Sequence, residues 1–303
     1  MAAKSPAPME TLDRVHLRRV TEAMVALPTL PLVASRLLEA VADPDARSEE
    51  VARILALDPA LTARTLKLAN SDFYGFPRKV GSVDLAVVVL GADTIRDLVL
   101  SAAVFQSLDP TGRDLEGLWN HSMACGVAAR SLAERIRYRL AGEAYAVGVL
   151  HDIGKVVLRQ SFPRRFDAVL SLVRAQAVPM EEAERGVLGS DHAEIGGWLA
   201  ERWGLPADIV EAIACHHSPE RASVNPELAA ITHIANSLAE QIGHVWPEEM
   251  DPHPISDSAW ERVEPDEGLR QLLLDDLVPG VYRAVEKERE LFLHFRDPME
   301  GES

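Results

Sequence analysis

The chain is poor in cysteine, lacks long apolar runs and is short of positive charge. Its only cysteines are Cys125 and Cys215, and no Cys-x-x-Cys pair occurs. That argues against a disulfide scaffold and fits a reducing compartment. No stretch approaches the roughly 18 consecutive apolar residues that a membrane span needs. Residues 1–10 carry Pro and Ala but no apolar core, so no signal peptide is expected and the protein is expected in the cytoplasm. Lys and Arg number 31 against 47 Asp and Glu, a formal net charge of -16. Neutralising a phosphate backbone requires the opposite balance, so nucleic-acid binding is disfavoured, and the Arg64, Lys67, Arg78 and Lys79 group is a weak basis for it. A local basic pocket for one small phosphorylated ligand is compatible with this charge. No strand-like alternation of useful length, repeat or low-complexity tract stands out.

What is present is helical punctuation. Apolar residues make up 47% of the chain, ample for a packed core. Thr29 with Pro31, Ser48 followed by Glu49 and Glu50, Asp58 with Pro59, Ser82 and Asp93 each have the character of a helix start: a side-chain acceptor, first-turn acids or a proline where no N–H is required. The Val87-Val88-Val89-Leu90 run is read as helix, broken near Gly91. Asp109-Pro110-Thr111-Gly112 is the clearest break in the first half. The expected organisation is a tail at 1–20, an N-terminal helical bundle at 21–108, a second helical domain at 109–245, and an acidic loop with C-terminal helices at 246–303. Within the last part, 246–267 reads as a loop or tether, followed by two amphipathic helices at 269–278 and 281–295.

The histidines are unevenly placed. His16, His244, His253 and His294 lie in weakly patterned or terminal segments and are read as surface residues. Five others share faces with apolar residues. His121 has Leu118 at i-3 and Cys125 at i+4. His151, with Asp152, ends the apolar run 144–150. His192 precedes Ile195 and Leu199 on one face, and His216 and His217 end a helix with Ile209, Val210 and Ile213. A polar pair at the end of a buried run needs partners. Imidazole and carboxylate donors suit divalent iron, manganese or zinc, and two such ions sharing Asp152 would activate a water toward phosphorus. Lys155, three residues after Asp152, would steady that carboxylate or hold a phosphate oxygen. The plainer alternative stays open for each residue: a satisfied core histidine, a structural Asp152–Lys155 ion pair, a polar helix end at His216-His217.

Leu150-His151-Asp152-Ile153-Gly154-Lys155 resembles the signature of the HD superfamily. The wider pattern resembles the HDOD family, the HD-related output domains of bacterial signalling. It comprises Leu27-Pro28-Thr29-Leu30-Pro31, Asp58-Pro59-Ala60-Leu61, Leu68-Ala69-Asn70-Ser71, the 86–91 and 184–189 segments, Asp191-His192-Ala193-Glu194-Ile195-Gly196, Trp203-Gly204-Leu205-Pro206 and His216-His217-Ser218-Pro219. The resemblance implies an all-α fold, with an N-terminal helical bundle packed on a modified HD-type domain. It also implies a regulatory output or scaffold role, with signalling proteins of kinase, cyclase or response-regulator type as partners. The related HD-GYP family hydrolyses cyclic di-GMP at a multi-metal site, whose ligand pattern maps onto His151, Asp152, His192, His216 and His217, and onto His121. Two departures from it weaken hydrolysis. Ser218-Pro219-Glu220-Arg221 stands where a Gly-Tyr-Pro segment would follow, and Asn236 stands where the last metal-binding Asp would fall. An amide is a weaker ligand and brings no charge. His233, on the opposite face from the Leu228, Ile231, Ala235 pattern, is read as a spectator.

Three functions follow as expectations. The first is a regulatory module acting through protein–protein contact, with the 73–76 aromatic loop as a surface. The second is a metal-dependent phosphodiesterase, with Asp152 and Lys155 at its centre. The third is a non-hydrolysing receptor for a nucleotide second messenger, using Lys155 and Arg159. No receiver, kinase or cyclase signature is recognised, so the input is expected from a partner, a ligand or a redox change.

Overall fold

A computed structural model describes residues 17–19, 48–56, 59–71, 80–108, 116–247, 252–264 and 266–296. The expected helix start at Thr29, the 73–76 loop, the 109–112 break, Arg78, Lys79, His16 and the His294 side chain lie outside what is described. Among the described residues the secondary structure is helical throughout, with no strand.

Among the described residues the N-terminal set includes α1 (Ser48–Leu55), α2 (Pro59–Ala69), α3 (Val83–Leu90) and α4 (Ala92–Leu108). Ser82 caps α3 by accepting from the Leu85 N–H, and Gly91, at φ +88°, turns the chain between α3 and α4. The valine run is helical, as its neighbours dictate. Asn70, in the Leu68-Ala69-Asn70-Ser71 motif, works structurally. Its amide exchanges two hydrogen bonds with the backbone of Val80, at 2.8 and 2.9 Å, and so fixes where α3 begins relative to α2.

The second set is α5 (Glu116–Arg135), α6 (Ala141–Leu150), α7 (Ile153–Ser161), α8 (Pro163–Gln176), α9 (Met180–Leu188), α10 (His192–Arg202), α11 (Ala207–Cys215) and α12 (Pro226–Gln241). α5 lies at its centre, packed by α6 and α12. α6 is buried from Glu143 to Leu150, which explains its unbroken apolar run. Two glycines allow close backbone approach. A Cβ on Gly148 would lie 2.7 Å from Gly126 Cα, and one on Gly154 would collide with the His192 carbonyl. The second contact brings the start of α7 against the start of α10, where Asp152 and His192 sit.

The C-terminal part departs from expectation. The 246–267 stretch contains a helix, α13 (Asp257–Val263), capped by Ser256 and anchored by buried Trp260. The two expected terminal helices are one, α14 (Glu267–Arg296), which continues through Pro279. α14 packs on α5 and also on α2 and α4, so it joins both helical sets. At that junction Arg130 pairs with buried Asp97 and lies 4.7 Å over the Tyr145 ring, and the Tyr145 hydroxyl donates to Glu288 of α14 at 3.4 Å.

Candidate metal centre

Asp152 occupies the corner between α6 and α7, and four histidines from α5, α6, α10 and α11 converge on it. Its Oδ2 lies 3.4 Å from both His121 Nε2 and His151 Nε2, which are 3.2 Å from each other. Its Oδ1 lies 3.2 Å from His192 Nε2 and 3.8 Å from His216 Nε2. His217 Nε2 is 2.9 Å from His192 Nε2. All six predicted residues are therefore brought together, in two groups that share Asp152. His121, His151, Asp152, His192 and His216 are 0–1% exposed, and His217 is half-buried.

The opposite side of each ring explains its orientation. Nδ1–H of His121 donates to the His244 carbonyl at 2.6 Å, that of His151 to Gly148 at 2.7 Å and that of His216 to Ile213 at 2.7 Å. His192 Nδ1–H donates to Glu184 Oε2 at 2.6 Å, and the same oxygen takes the His192 backbone N–H at 2.8 Å. With Nδ1 carrying the proton, the Nε2 atoms of His121, His151 and His216 present lone pairs to the centre. Lone pairs facing one another and a carboxylate repel unless a cation lies between them. A metal bonded to nitrogen at about 2.1 Å separates neighbouring donors by roughly 3.0–3.4 Å, which the His121, His151 and Asp152 spacings match. Asp152 Oδ1 and His216 Nε2 are buried without hydrogen-bond partners. The donor set thus fits a divalent metal, with the two Asp152 oxygens facing separate groups.

Electrostatics follow the same geometry. Burial holds the His151 imidazole down to about 4, against the pull of Asp152. Burial and neighbouring imidazoles hold His216 and His217 well below their ordinary value. Burial works against charge on His192 as well, but Glu184 and Asp152 outweigh it and raise that ring to about 10. Burial disfavours the Asp152 carboxylate, yet His151, Lys155 and His192 keep it well below the usual range. Lys155 Nζ sits 2.7 Å from Asp152 Oδ2 under the Trp246 ring, whose centroid is 5.7 Å away. Arg159 pairs with Asp167 at 2.6 Å. Lys155 and Arg159 therefore do not form an open basic patch.

The domain model for the HDOD domain matches residues 27–219. The chain belongs to the HDOD domain family. An HDOD domain protein of unknown function from Geobacter sulfurreducens has a solved structure at 29% identity and TM-score 0.70, the alignment covering 91% of this chain and 98% of that one. A structure described as a phosphohydrolase, from Shewanella amazonensis SB2B, is 27% identical with TM-score 0.63, covering 92% and 96% of the two chains. An uncharacterized protein of Treponema pallidum (strain Nichols) is 26% identical over 246 residues, 80% of this chain and 48% of that one. The chain thus spans about half the length of that curated relative. The HDOD match takes in all six clustered residues and stops before Asn236 and the segment that wraps the site.

That wrapping segment corrects three expectations. His244 is half-buried, and its carbonyl holds His121. His253 is not a surface residue: its side chain is 14% exposed and bonded to Glu240. His233 supplies no donor to the centre but is no spectator. Its Nδ1–H donates to the His216 carbonyl at 2.8 Å and its Nε2 accepts from the Ser256 N–H at 3.0 Å. Asn236 is buried with its Oδ1 unpartnered. Sequence reasoning also missed Glu184 as the residue that orients His192. Its signal was the 184–189 segment eight residues upstream. Glu240 and Glu181 had no comparable signal, because their partner His253 lies in an aperiodic stretch.

Proposed function

We propose that this chain is a regulatory module of bacterial signal transduction that acts through protein–protein contact and holds a divalent metal, iron, manganese or zinc, in the His121, His151, Asp152, His192, His216 and His217 cluster without hydrolysing a substrate. The observation that carries this reading is a donor set aimed at a shared carboxylate while five of its six members are 0–1% exposed. Attack by a metal-activated water requires the phosphorus to come into contact with the centre, and of the six donors only His217 is more than 1% exposed, being half-buried. Asn236 in place of an acid and the missing Gly-Tyr-Pro segment support the same reading. When bound, the metal would supply a fixed positive charge that locks five helix termini and turns together. Partners of kinase, cyclase or response-regulator type fit an HDOD output module.

A metal-dependent phosphodiesterase is the second reading, favoured by the 27% identity to the Shewanella phosphohydrolase and by Lys155 beside Asp152. Incubating the manganese- or iron-loaded protein with cyclic di-GMP separates the two. No product over hours is expected. Metal-dependent product formation that disappears in Asp152→Asn would overturn the regulatory reading in favour of the phosphodiesterase. The receptor reading loses its motivating observation, since Lys155 and Arg159 are both engaged with acids.

A further inference from the structure

Outside the Asp152 centre, a second group of donors meets where the wrapping segment crosses α9 and α12. His253 Nδ1–H donates to Glu240 Oε1 at 2.8 Å, and the His253 backbone N–H donates to Glu240 Oε2 at 2.6 Å. These two bonds fix the ring so that Nε2 faces Glu181 Oε2, 3.5 Å away. Neither His253 Nε2 nor Glu181 Oε2 has a hydrogen-bond partner, although both atoms are buried. The His217 ring lies 5.0 Å from the His253 ring between centroids, and a nitrogen of His217 joins the other two donor atoms within 4.8 Å.

We propose that Glu181, His217 and His253 form a further divalent-cation site that fastens the 252–256 segment to the helical core. Two imidazoles and a carboxylate are the donor types of zinc, ferrous iron and manganese, with a fourth position left for water. Glu240 behind His253 is the carboxylate–imidazole support that such ligands use. The Glu181 and His253 side chains are 12% and 14% exposed, against 0–1% for the inner donors. The outer group therefore lies nearer to solvent than the inner cluster. The site does not depend on Asp152 and shares only His217 with the inner centre, so it goes beyond the function proposed above.

An ion here would tie α9, the turn after α11 and the wrapping segment together. The effect runs inward, because Ser256 of that segment holds His233, and His233 holds the His216 carbonyl. Occupancy of the outer site thus bears on two inner donors, His216 and His217. The segment lies beyond the end of the HDOD match at residue 219.

The test is a count of bound zinc or manganese after metal stripping, titration and desalting, in the wild type, His253→Ala, Glu181→Gln and Asp152→Asn, with hydrogen exchange of residues 252–256 measured alongside. Wild type is expected to hold one more ion per chain than His253→Ala or Glu181→Gln. Asp152→Asn is expected to lose inner metal yet keep metal-dependent protection of 252–256. If His253→Ala and Glu181→Gln bind as many ions as wild type, the outer site does not exist and His253 is an ion-pair bridge. That result leaves the inner centre standing. Metal lost only from the inner-site variant, with 252–256 indifferent to metal, overturns the inference in the same way. No metal bound by any of the four proteins overturns both.

Discussion

The Nε2 atoms of His121, His151, His192 and His216 are aimed by the groups behind their rings, so the supporting groups carry testable weight. Glu184 takes both the side-chain and the backbone N–H of His192. Loss of such a support costs metal affinity about 10–100-fold. Glu184→Ala is expected to weaken binding by that factor in calorimetric titration, and unchanged affinity would mean Glu184 is only a packing residue. The metal-free protein is expected to respond to acid. His151 titrates at about 4 in the fold against an ordinary 6.5. Between these values the unfolded chain binds the proton and the folded chain does not, so stability present above pH 6.5 is lost as the pH falls toward 4. At 1.36 kcal/mol per pH unit the loss is roughly 3 kcal/mol. His192 acts in the opposite sense: raised to about 10, it stabilises below pH 6.5 and loses that contribution as the pH rises through 10. Thermal melts in chelator should therefore fall on both sides of neutrality, and a flat profile from pH 6.5 to 4.5 would contradict the burial argument. His151 and Asp152 were legible in the sequence because a polar pair closed a deeply apolar run. His253 was not, because its surroundings have no periodicity and its burial depends on Glu181 and Glu240, far away in the chain.

Among the elements, the junction of α7 with α10 is the most constrained. Adding a methyl at Gly154 would drive the His192 carbonyl away. Gly154→Ala is expected to destabilise the protein by about 1–3 kcal/mol, as overpacking does, and to reduce metal binding by separating Asp152 from His192. A variant that melts like wild type and keeps its metal would show that the two helix starts can part freely. Helix starts at Ser48 and Ser82 were readable from their hydroxyls, and Ser82 caps its helix as expected. The C-terminal helix was not, for a physical reason. Pro279 removes one backbone bond, yet it and Asp275 lie on the exposed side, where the freed carbonyl is not buried away from solvent. The buried face formed by Leu277, Val281, Val285, Leu291 and Phe292 carries on in register across the proline. Packing thus outweighs the local break. α13 was hidden by acidic and proline-rich composition, although Ser256 and Trp260 mark its start and its anchor.

For the whole molecule, α14 unites the N-terminal helices with the core, and Arg130 is the cation at that junction. Arg130→Ala would leave Asp97, 1% exposed, without its counter-charge. Losing one partner of a buried pair costs about 3 kcal/mol or more. The expected outcome is a lower melting temperature together with faster proteolysis of α14, and melting identical to wild type would place the junction's stability elsewhere. The all-α architecture and HDOD membership were legible because motifs spread over much of the chain fall in order. The enclosure of the cluster was not, since it depends on how 244–247 and 252–256 fold back over the core. That enclosure makes the metal the central claim. Its most direct test is the metal content of protein purified without oxygen or chelators, wild type beside Asp152→Asn. At least one iron, manganese or zinc per wild-type chain is predicted, with the inner metal lost in the variant; a metal-free wild type, or equal metal in both, would contradict it.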